Sequence, residues 1–500
     1  MKQIARTKGT LLRVFACVWA VVALALTCAA PAFAADVPTG SITVNNVDGA
    51  SSGSAYKVID VNWNGSEPVD PMYKWNDSVA QWVSDNYSDY IDAKGYVTET
   101  YSKAKENDGK AIKKFAEDLQ LAIINNKVAA TKTVAISSDT VTFDSLNAGG
   151  YLVSIAGKTD VFTPVISNVN LDSDNSWAVV SPKVEAKKSK VTFEKKILES
   201  DGNLVDTATA GIGDDVTFRL TSTAPIYPSN AVDATYKIGD QMDPGLTFKE
   251  ILSVKVNGTD LDAAKYEVKN TDAQNFTINF TDPSAISGAE ITVEYKATLN
   301  GNAVVGETGN PNSATLTYSH DPYHKGQYND IPDKVNVFTF GIEIFKVDKA
   351  DNTKFLSGAT FKVKKGGSVL KFKLVNGVYR LAADGDVEVL PVDDNGKLYV
   401  DGLDAGEYKL EEVKAPNGYA RLNADATVTI VASKPEGSVD YNGHVSGEST
   451  TKAGYTNAKV ENAHGWSLPA TGDAGLFALV AAGIVLVGGG IMVVRSRRAE

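Results

Sequence analysis

Between Phe338 and Asp348 the chain reads Phe-Thr-Phe-Gly-Ile-Glu-Ile-Phe-Lys-Val-Asp. Successive side chains of a β-strand alternate faces, so Phe338, Phe340, Ile342 and Ile344 share one face with Lys346. A lysine on an apolar face is costly to bury unless it is neutral, paired or chemically changed. The alternative is a lysine that snorkels out past the strand end. The pattern recurs earlier, where Val191, Phe193, Lys195 and Ile197 share the apolar face and Lys196 takes the other. Tyr408, Leu410 and Glu412 also share one face, which turns Glu412 inward and Glu411 outward. Burial lowers the pKa of an amine and raises that of a carboxyl, which leaves a neutral nucleophile and a proton-donating acid.

Other chemistries are poorly supplied. The two cysteines, Cys17 and Cys28, leave no thiol in the remainder of the 500 residues, so disulfides, cysteine metal sites and cysteine nucleophiles are excluded there. His320, His324, His444 and His464 are the four histidines, and none lies in an H-E-x-x-H motif; G-x-S-x-G is absent too. A net charge of -12, with 43% hydrophobic and 22% charged residues, describes a globular chain and argues against a nucleic-acid partner. The length allows roughly three domains.

The ends read as targeting segments. Lys2, Arg6, Lys8 and Arg13 precede an apolar run from Val14 to Leu26 and then Ala32-Phe33-Ala34, a secretory signal peptide with cleavage expected before Ala35. A lipoprotein reading of Cys28 is disfavoured by Thr27 and Ala25, which are poor lipobox residues. Near the other end, Leu468-Pro469-Ala470-Thr471-Gly472 is followed by 21 uncharged residues, Ala474 to Val494, and then by Arg495, Arg497 and Arg498. That run is long enough to span a bilayer, with the arginines on the cytoplasmic side. Pentapeptide, apolar span and basic tail together resemble the sorting signal of Gram-positive surface proteins, which a sortase cleaves between Thr471 and Gly472. Loss of both ends would leave residues 35–471 with a charge of -17.

These groups must be positioned by strands. Ser41–Val44, Ala55–Val61, Val141–Phe143 and Gly150–Val153 carry the two-residue period. Trp75, Val79, Trp82 and Val83, and then Ile112, Phe115, Leu119 and Ile123, fall at helical spacing, the first set behind the cap candidates Asn76 and Asp77. A lysine-rich joint, Pro182 to Lys190, precedes two stretches of almost pure β pattern, about 189–335 and 336–465, with Pro332, Asp333 and Lys334 at their join. Their sizes and Asp-Gly turns fit immunoglobulin-like sandwiches.

The segment Tyr408 to Tyr419 resembles the E-box of sortase-assembled pilins, Y-x-L-x-E-x-x-A-P-x-G-Y, and matches it without a gap. Ile344 to Asp348 with Leu356 to Phe361 is similar to the opening of a CNA-B domain, and Val460-Glu461-Asn462-Ala463 to its last strand. The resemblance implies an isopeptide bond between Lys346 and Asn462, promoted by Glu412. Ile238 to Phe248 resembles the D-x-x-x-x-G-L-x-F segment of pilin middle domains, and Gly309 to Leu316 their asparagine strand. This implies a second set, Lys195, Asp240 and Asn312, with Lys196, Asp243 and Asn310 as rivals. Trp177 to Lys183 is similar to the pilin motif W-x-x-x-V-x-V-Y-P-K, shortened by three residues and with Ser181 in place of its tyrosine. By that likeness Lys183, or else Lys187, attacks the thioester that sortase forms at Thr471 of another subunit.

The resemblance therefore implies a mostly β protein of tandem immunoglobulin-like, CNA-B-type sandwiches, the first with helical insertions. The expected division is a signal peptide 1–34, pilin domains 35–183, 184–335 and 336–466, and a sorting tail 467–500 with its membrane span at 474–494. The function implied is that of a pilus shaft subunit at the surface of a Gram-positive cell, secreted and anchored to the wall, not an enzyme and without a cofactor. Implied partners are a pilus sortase, other copies of the chain, minor pilins, a housekeeping sortase with peptidoglycan, and host surface or matrix glycans or proteins. A monomeric wall-anchored adhesin that binds through its first domain is the alternative, separated by whether Lys183 is used. Asp172-Ser173-Asp174-Asn175 could suggest calcium, although acidic turns of this kind are usually just solvated, and no metal site is expected.

Overall fold

The structure is a computed structural model that describes residues 37–104, 109–172 and 177–465. Strands dominate, and they fall into three successive groups. In the first group, Thr39–Asn45 lies between Thr140–Asn147 and Lys183–Glu185. A larger sheet runs Pro68–Trp75, Ala50–Trp63, Gly149–Gly157, Val165–Leu171, Val179–Val180, with Lys132–Ala135 paired to Ala50–Trp63. Ile42, Val44, Phe143, Tyr151 and Val153 fill the space between these sheets.

The expected helical insertions are there, as Asp77–Asn86, Glu99–Lys103 and Lys110–Asn125. Asn76 caps the first by accepting a hydrogen bond from the Ser78 amide, which satisfies one of the free donors of the opening turn. Val79 and Val83 of this helix and Phe115, Leu119 and Ile123 of the long one pack around Trp75, which is 0% exposed. Apolar residues on one stripe of each helix thus form a second small core outside the sheet.

The middle group is a two-sheet sandwich. One sheet runs Leu204–Val205, Phe193–Leu198, Asp215–Thr223, Glu290–Leu299, Leu246–Val256, Thr259–Asp260; the other runs Thr207–Thr209, Tyr328–Phe338, Asn310–Ser319, Tyr236–Met242, Asn275–Phe280, Tyr266–Asn270. In the third group, Phe340–Asp348 lies between Lys397–Leu403 and Tyr455–Asn462, the latter parallel to it. The facing sheet runs Ser368–Val369, Thr360–Lys365, Gly406–Lys414, Ala426–Ile430.

No loop separates the middle and third groups. Pro332 lies inside the strand Tyr328–Phe338, opposite Thr315, where the short strand Thr207–Thr209 does not reach and a missing N–H costs no ladder bond. The change of core falls between Val337, which packs in the middle sandwich, and Phe338, which packs in the third. The Ile212 amide donates to the Gly402 carbonyl at 2.8 Å, and the Gly306 amide to the Thr339 carbonyl at 3.1 Å. Gly306 and Gly454 are both at positive φ and so close that a Cβ on Gly454 would sit 2.4 Å from the Gly306 Cα. Tyr318 OH donates to the Thr159 carbonyl across the other joint, from the middle group to the first.

Among the described residues no helix is long and apolar enough to cross a membrane. The expected signal peptide, the sorting motif Leu468, Pro469, Ala470, Thr471 and Gly472, and the span 474–494 lie outside them, as do Ser173, Asp174 and Asn175.

Candidate functional sites

In the third sandwich the alternation that put Lys346 with Phe340, Ile342 and Ile344 delivers it to the core, where it is 0% exposed. Its Nζ donates to the Val460 carbonyl at 2.8 Å. The parallel register sets Lys346 beside Val460 and Asp348 beside Asn462, so Lys346 and Asn462 lie two residues apart along neighbouring strands, on the same face. Glu412 comes from the facing sheet, and its Oε2 accepts from Asn462 Nδ2 at 2.9 Å and from the Leu422 amide at 2.8 Å. Asn462 Nδ2 also donates to the Ala420 carbonyl at 2.8 Å. Glu412 and Asn462 are buried. Burial lowers the Lys346 pKa from its ordinary 10.5 to about 8, against the opposing pull of Glu412 and Glu461.

The middle sandwich brings together Lys195, Asp240 and Asn312. Lys195 Nζ lies 2.5 Å from Asp240 Oδ2, and both side chains are without solvent exposure. Burial pushes the lysine down and the carboxyl up, so the pair is driven toward neutral amine and neutral acid. Asn312 reaches them through a residue that the sequence reading passed over, Tyr295. The Tyr295 hydroxyl donates to Asp240 Oδ2 at 2.7 Å and accepts from Lys195 Nζ at 2.5 Å and from Asn312 Nδ2 at 2.8 Å. Lys195 and Tyr295 stand on one sheet, Asp240 and Asn312 on the other. This site therefore bridges the two sheets, whereas Lys346 and Asn462 belong to one sheet.

The rivals are engaged elsewhere. Lys196 is half-buried and pairs with Asp206 at 2.7 Å. Asp243 caps the turn at Gly245, accepting from its amide at 2.9 Å. Asn310 is fully buried and bonds to backbone groups of Val304 and Val337.

The two sites share one feature. Buried side-chain oxygens without a hydrogen-bond partner include Asp240 Oδ1 with Asn312 Oδ1, and Glu412 Oε1 with Asn462 Oδ1. Each pair is one carboxyl oxygen and one amide oxygen, both acceptors when the acid is ionised. A proton on the carboxyl converts one member into a donor to the other, and that bond would polarise the amide carbonyl toward attack by a neighbouring amine.

Lys183 opens the strand Lys183–Glu185 and lies beside Thr43 in parallel register. Its side chain is exposed, with no carboxylate partner among the described residues. Lys187 is exposed too, while Lys188 is tied down by Asp48 at 2.5 Å and Asp160 at 3.0 Å. Among the described residues no group of three or more His, Cys, Asp or Glu could hold a metal ion.

Consecutive sandwiches, two of them with a buried amine, carboxyl and amide close together, place the chain in the class of modular tandem β-sandwich proteins. Residues 341–444 match the SpaA prealbumin-like fold domain, and residues 212–322 the Cna-B-like domain of Gram-positive pilin backbone subunit 2. The chain is 27% identical over 444 residues, 80% of its length and 76% of the relative's, to the trypsin-resistant surface T6 protein of Streptococcus pyogenes serotype M6. The structure of the T6 backbone pilin of that serotype, described as modular with three domains, superposes with a TM-score of 0.58 at 18% identity, over 86% of this chain and 99% of that one. The full-length major pilin SpaD of Corynebacterium diphtheriae gives 0.50 at 18% identity, over 86% and 98%. The middle sandwich thus matches a domain model of Gram-positive pilin backbone subunits, the third a prealbumin-like fold domain model, and the chain is similar along most of its length to the T6 surface protein.

Proposed function

We propose that the chain is a structural shaft subunit of a covalent cell-surface pilus, in which the Lys183 amine of one copy is joined to the Thr471 carbonyl of the next. Such a head-to-tail contact between unlike surfaces does not close, so it extends into a filament. The observation that carries the reading is the exposed, unpaired Lys183 at the joint before the middle sandwich, in a chain built from pilin domains. Inside each copy, Lys346 forms an amide with Asn462 beside Glu412, and Lys195 with Asn312 beside Asp240. The neutral amine attacks the amide carbon, the acid holds the developing oxyanion, and ammonia leaves. Export before residue 35, cleavage by sortase after Thr471 and final attachment to peptidoglycan complete the assembly.

The test is the ladder of high-molecular-weight species in wall extracts. Lys183→Ala is expected to abolish it while leaving monomer at the surface. A surviving ladder would assign the linkage to another lysine, Lys187 first, and surface monomer without a ladder in the unmodified strain would mark a monomeric adhesin.

A further inference from the structure

We infer that Tyr295 is a catalytic residue of the middle sandwich, relaying a proton from the Lys195 amine to the departing nitrogen of Asn312. The inference rests on the amide-forming reading of Lys195, Asp240 and Asn312. A phenol oxygen has one proton to donate and two lone pairs to accept with, and Tyr295 uses all three, on Asp240 Oδ2, Lys195 Nζ and Asn312 Nδ2. The hydroxyl thus stands between the nitrogen that must lose a proton and the nitrogen that must gain one. It is fixed there, because Tyr295 is 0% exposed and its ring is stacked on Phe218 at 5.2 Å and set edge-on to Phe276 at 4.9 Å.

The reaction joins an amine to a primary amide and releases ammonia. Lys195 starts with two protons as a neutral amine and ends with one on the new amide nitrogen, while Asn312 Nδ2 starts with two and leaves with three. One proton therefore passes from Nζ to Nδ2. Direct transfer of the lysine's extra proton to Asp240 Oδ2, 2.5 Å away, first generates the neutral amine and the neutral acid. Asp240 then needs no donor at Oδ2, so the phenol proton is free to turn toward Asn312. As the Cγ–Nζ bond forms and the Cγ–Nδ2 bond breaks, the phenol oxygen takes a proton from Nζ and gives its own to Nδ2. Tyr295 ends as it began, Asp240 is left as the neutral acid that holds the lysine's extra proton, and no oxidant or other reactant is consumed.

The third sandwich accounts for why the middle one has a tyrosine here. Glu412 touches Asn462 Nδ2 directly at 2.9 Å, and its side chain is one methylene longer than that of an aspartate. Asp240 makes no bond to Asn312, and Tyr295 spans the difference.

The experiment is tryptic peptide mapping of the full chain, freshly isolated and then followed over hours. Each amide formed removes ammonia, about 17 Da, and joins two peptides. In the unmodified chain both linked pairs, Lys195 with Asn312 and Lys346 with Asn462, are expected to be complete. In Tyr295→Phe the first pair is expected to form at least about 100-fold more slowly, the usual scale of general acid–base assistance, with the second pair complete in the same molecules as proof of folding. Phe218→Leu, which loosens the same aromatic wall and keeps the hydroxyl, is expected to slow the first pair far less. Full linkage of Lys195 in freshly isolated Tyr295→Phe would overturn the relay alone, and so would equal slowing by Phe218→Leu, which would make Tyr295 a packing residue. Absence of the first pair from the unmodified chain would overturn the amide-forming reading of this site and the relay with it.

Discussion

A lysine with no solvent exposure is a statement about protons as well as packing. Lys346 has a carbonyl at 2.8 Å and no carboxylate in hydrogen-bond contact, so desolvation decides its charge and brings its pKa to about 8. At neutral pH the uncharged fraction of such an amine is about a tenth, against less than a thousandth for an ordinary lysine near 10.4. Burial by itself thus supplies on the order of 100-fold more nucleophile. The same shift has a sign for stability. A lysine that titrates near 8 when folded and near 10.5 when unfolded binds fewer protons in the folded state between those values. It therefore weakens the fold fully below pH 8, and the deficit fades as pH rises to 10.5. Asn462→Ala, which leaves the amine unreacted, should show this directly. Its Lys346 is expected to titrate near 8 by NMR. Hydrogen exchange from Phe340–Asp348 should be faster than in Asn462→Ala with Lys346→Met at pH 7, with the gap closing by pH 10. A gap that widens with pH would contradict the assignment of desolvation as the cause.

At the scale of elements, alternation and helical spacing foretold much of what is seen. The inward face of Phe340–Asp348, the inward Glu412 and the cap at Asn76 all follow from period and residue type. Asn76 offers a clean local test, because its side chain accepts from the Ser78 amide at 3.1 Å and donates to Asp60 at 2.7 Å. Asn76→Ala should cost about 1 kcal/mol, read as roughly fivefold faster hydrogen exchange within Asp77–Asn86, with the middle and third sandwiches unchanged. Unchanged exchange in the helix would mean that tertiary packing, not the cap, holds its first turn. Tyr295 was not legible in the same way. It sits in Glu290–Leu299 in register with Ile291, Val293, Ala297 and Leu299, so its row reads as core, and only the need of a buried hydroxyl for partners marks it out. The backbone groups of Ala420 and Leu422 around Asn462 and Glu412 were equally hidden, since loop carbonyls and amides leave no trace in side-chain pattern. Pro332 is near the change of core but inside a strand: proline signals a break by its missing donor, yet here its nitrogen lies where the second neighbouring strand does not reach.

For the whole molecule the two proposed amides would have unequal mechanical consequences. In the third sandwich Lys346 and Asn462 lie on the first and last strands of one sheet, so a pull that arrives beyond Asn462 crosses straight to Phe340–Asp348 and on into Tyr328–Phe338. Residues 347–461 are bypassed. In the middle sandwich Asn312 stands on the penultimate strand, paired with Val335 of the last. Force between Lys195 and Phe338 therefore runs out along Asn310–Ser319 and back along Tyr328–Phe338, and tends to unzip that pair rather than pass it by. The 22 residues from 313 to 334 remain in the path, held by their ladder to each other and by Tyr236–Met242 on the other side. Residues 37–182 stay outside the covalent path when tension enters at Lys183, and load reaches them only through the ladders that Lys183–Glu185 and Lys187–Ser189 make with the first group. Because the chain has no cysteine beyond Cys28, Lys183→Cys and Gly465→Cys give unique handles for single-molecule pulling. The third sandwich is expected to give no extension, and the middle one a single step of at most about 75 Å, the reach of the freed hairpin. Lys195→Ala should add the segment 196–311 and lengthen that step by on the order of 400 Å. A middle sandwich as inextensible as the third would mean that the ladder from Asn310–Ser319 to its two neighbours outlasts the applied force, and that the position of the amide along the fold is mechanically indifferent.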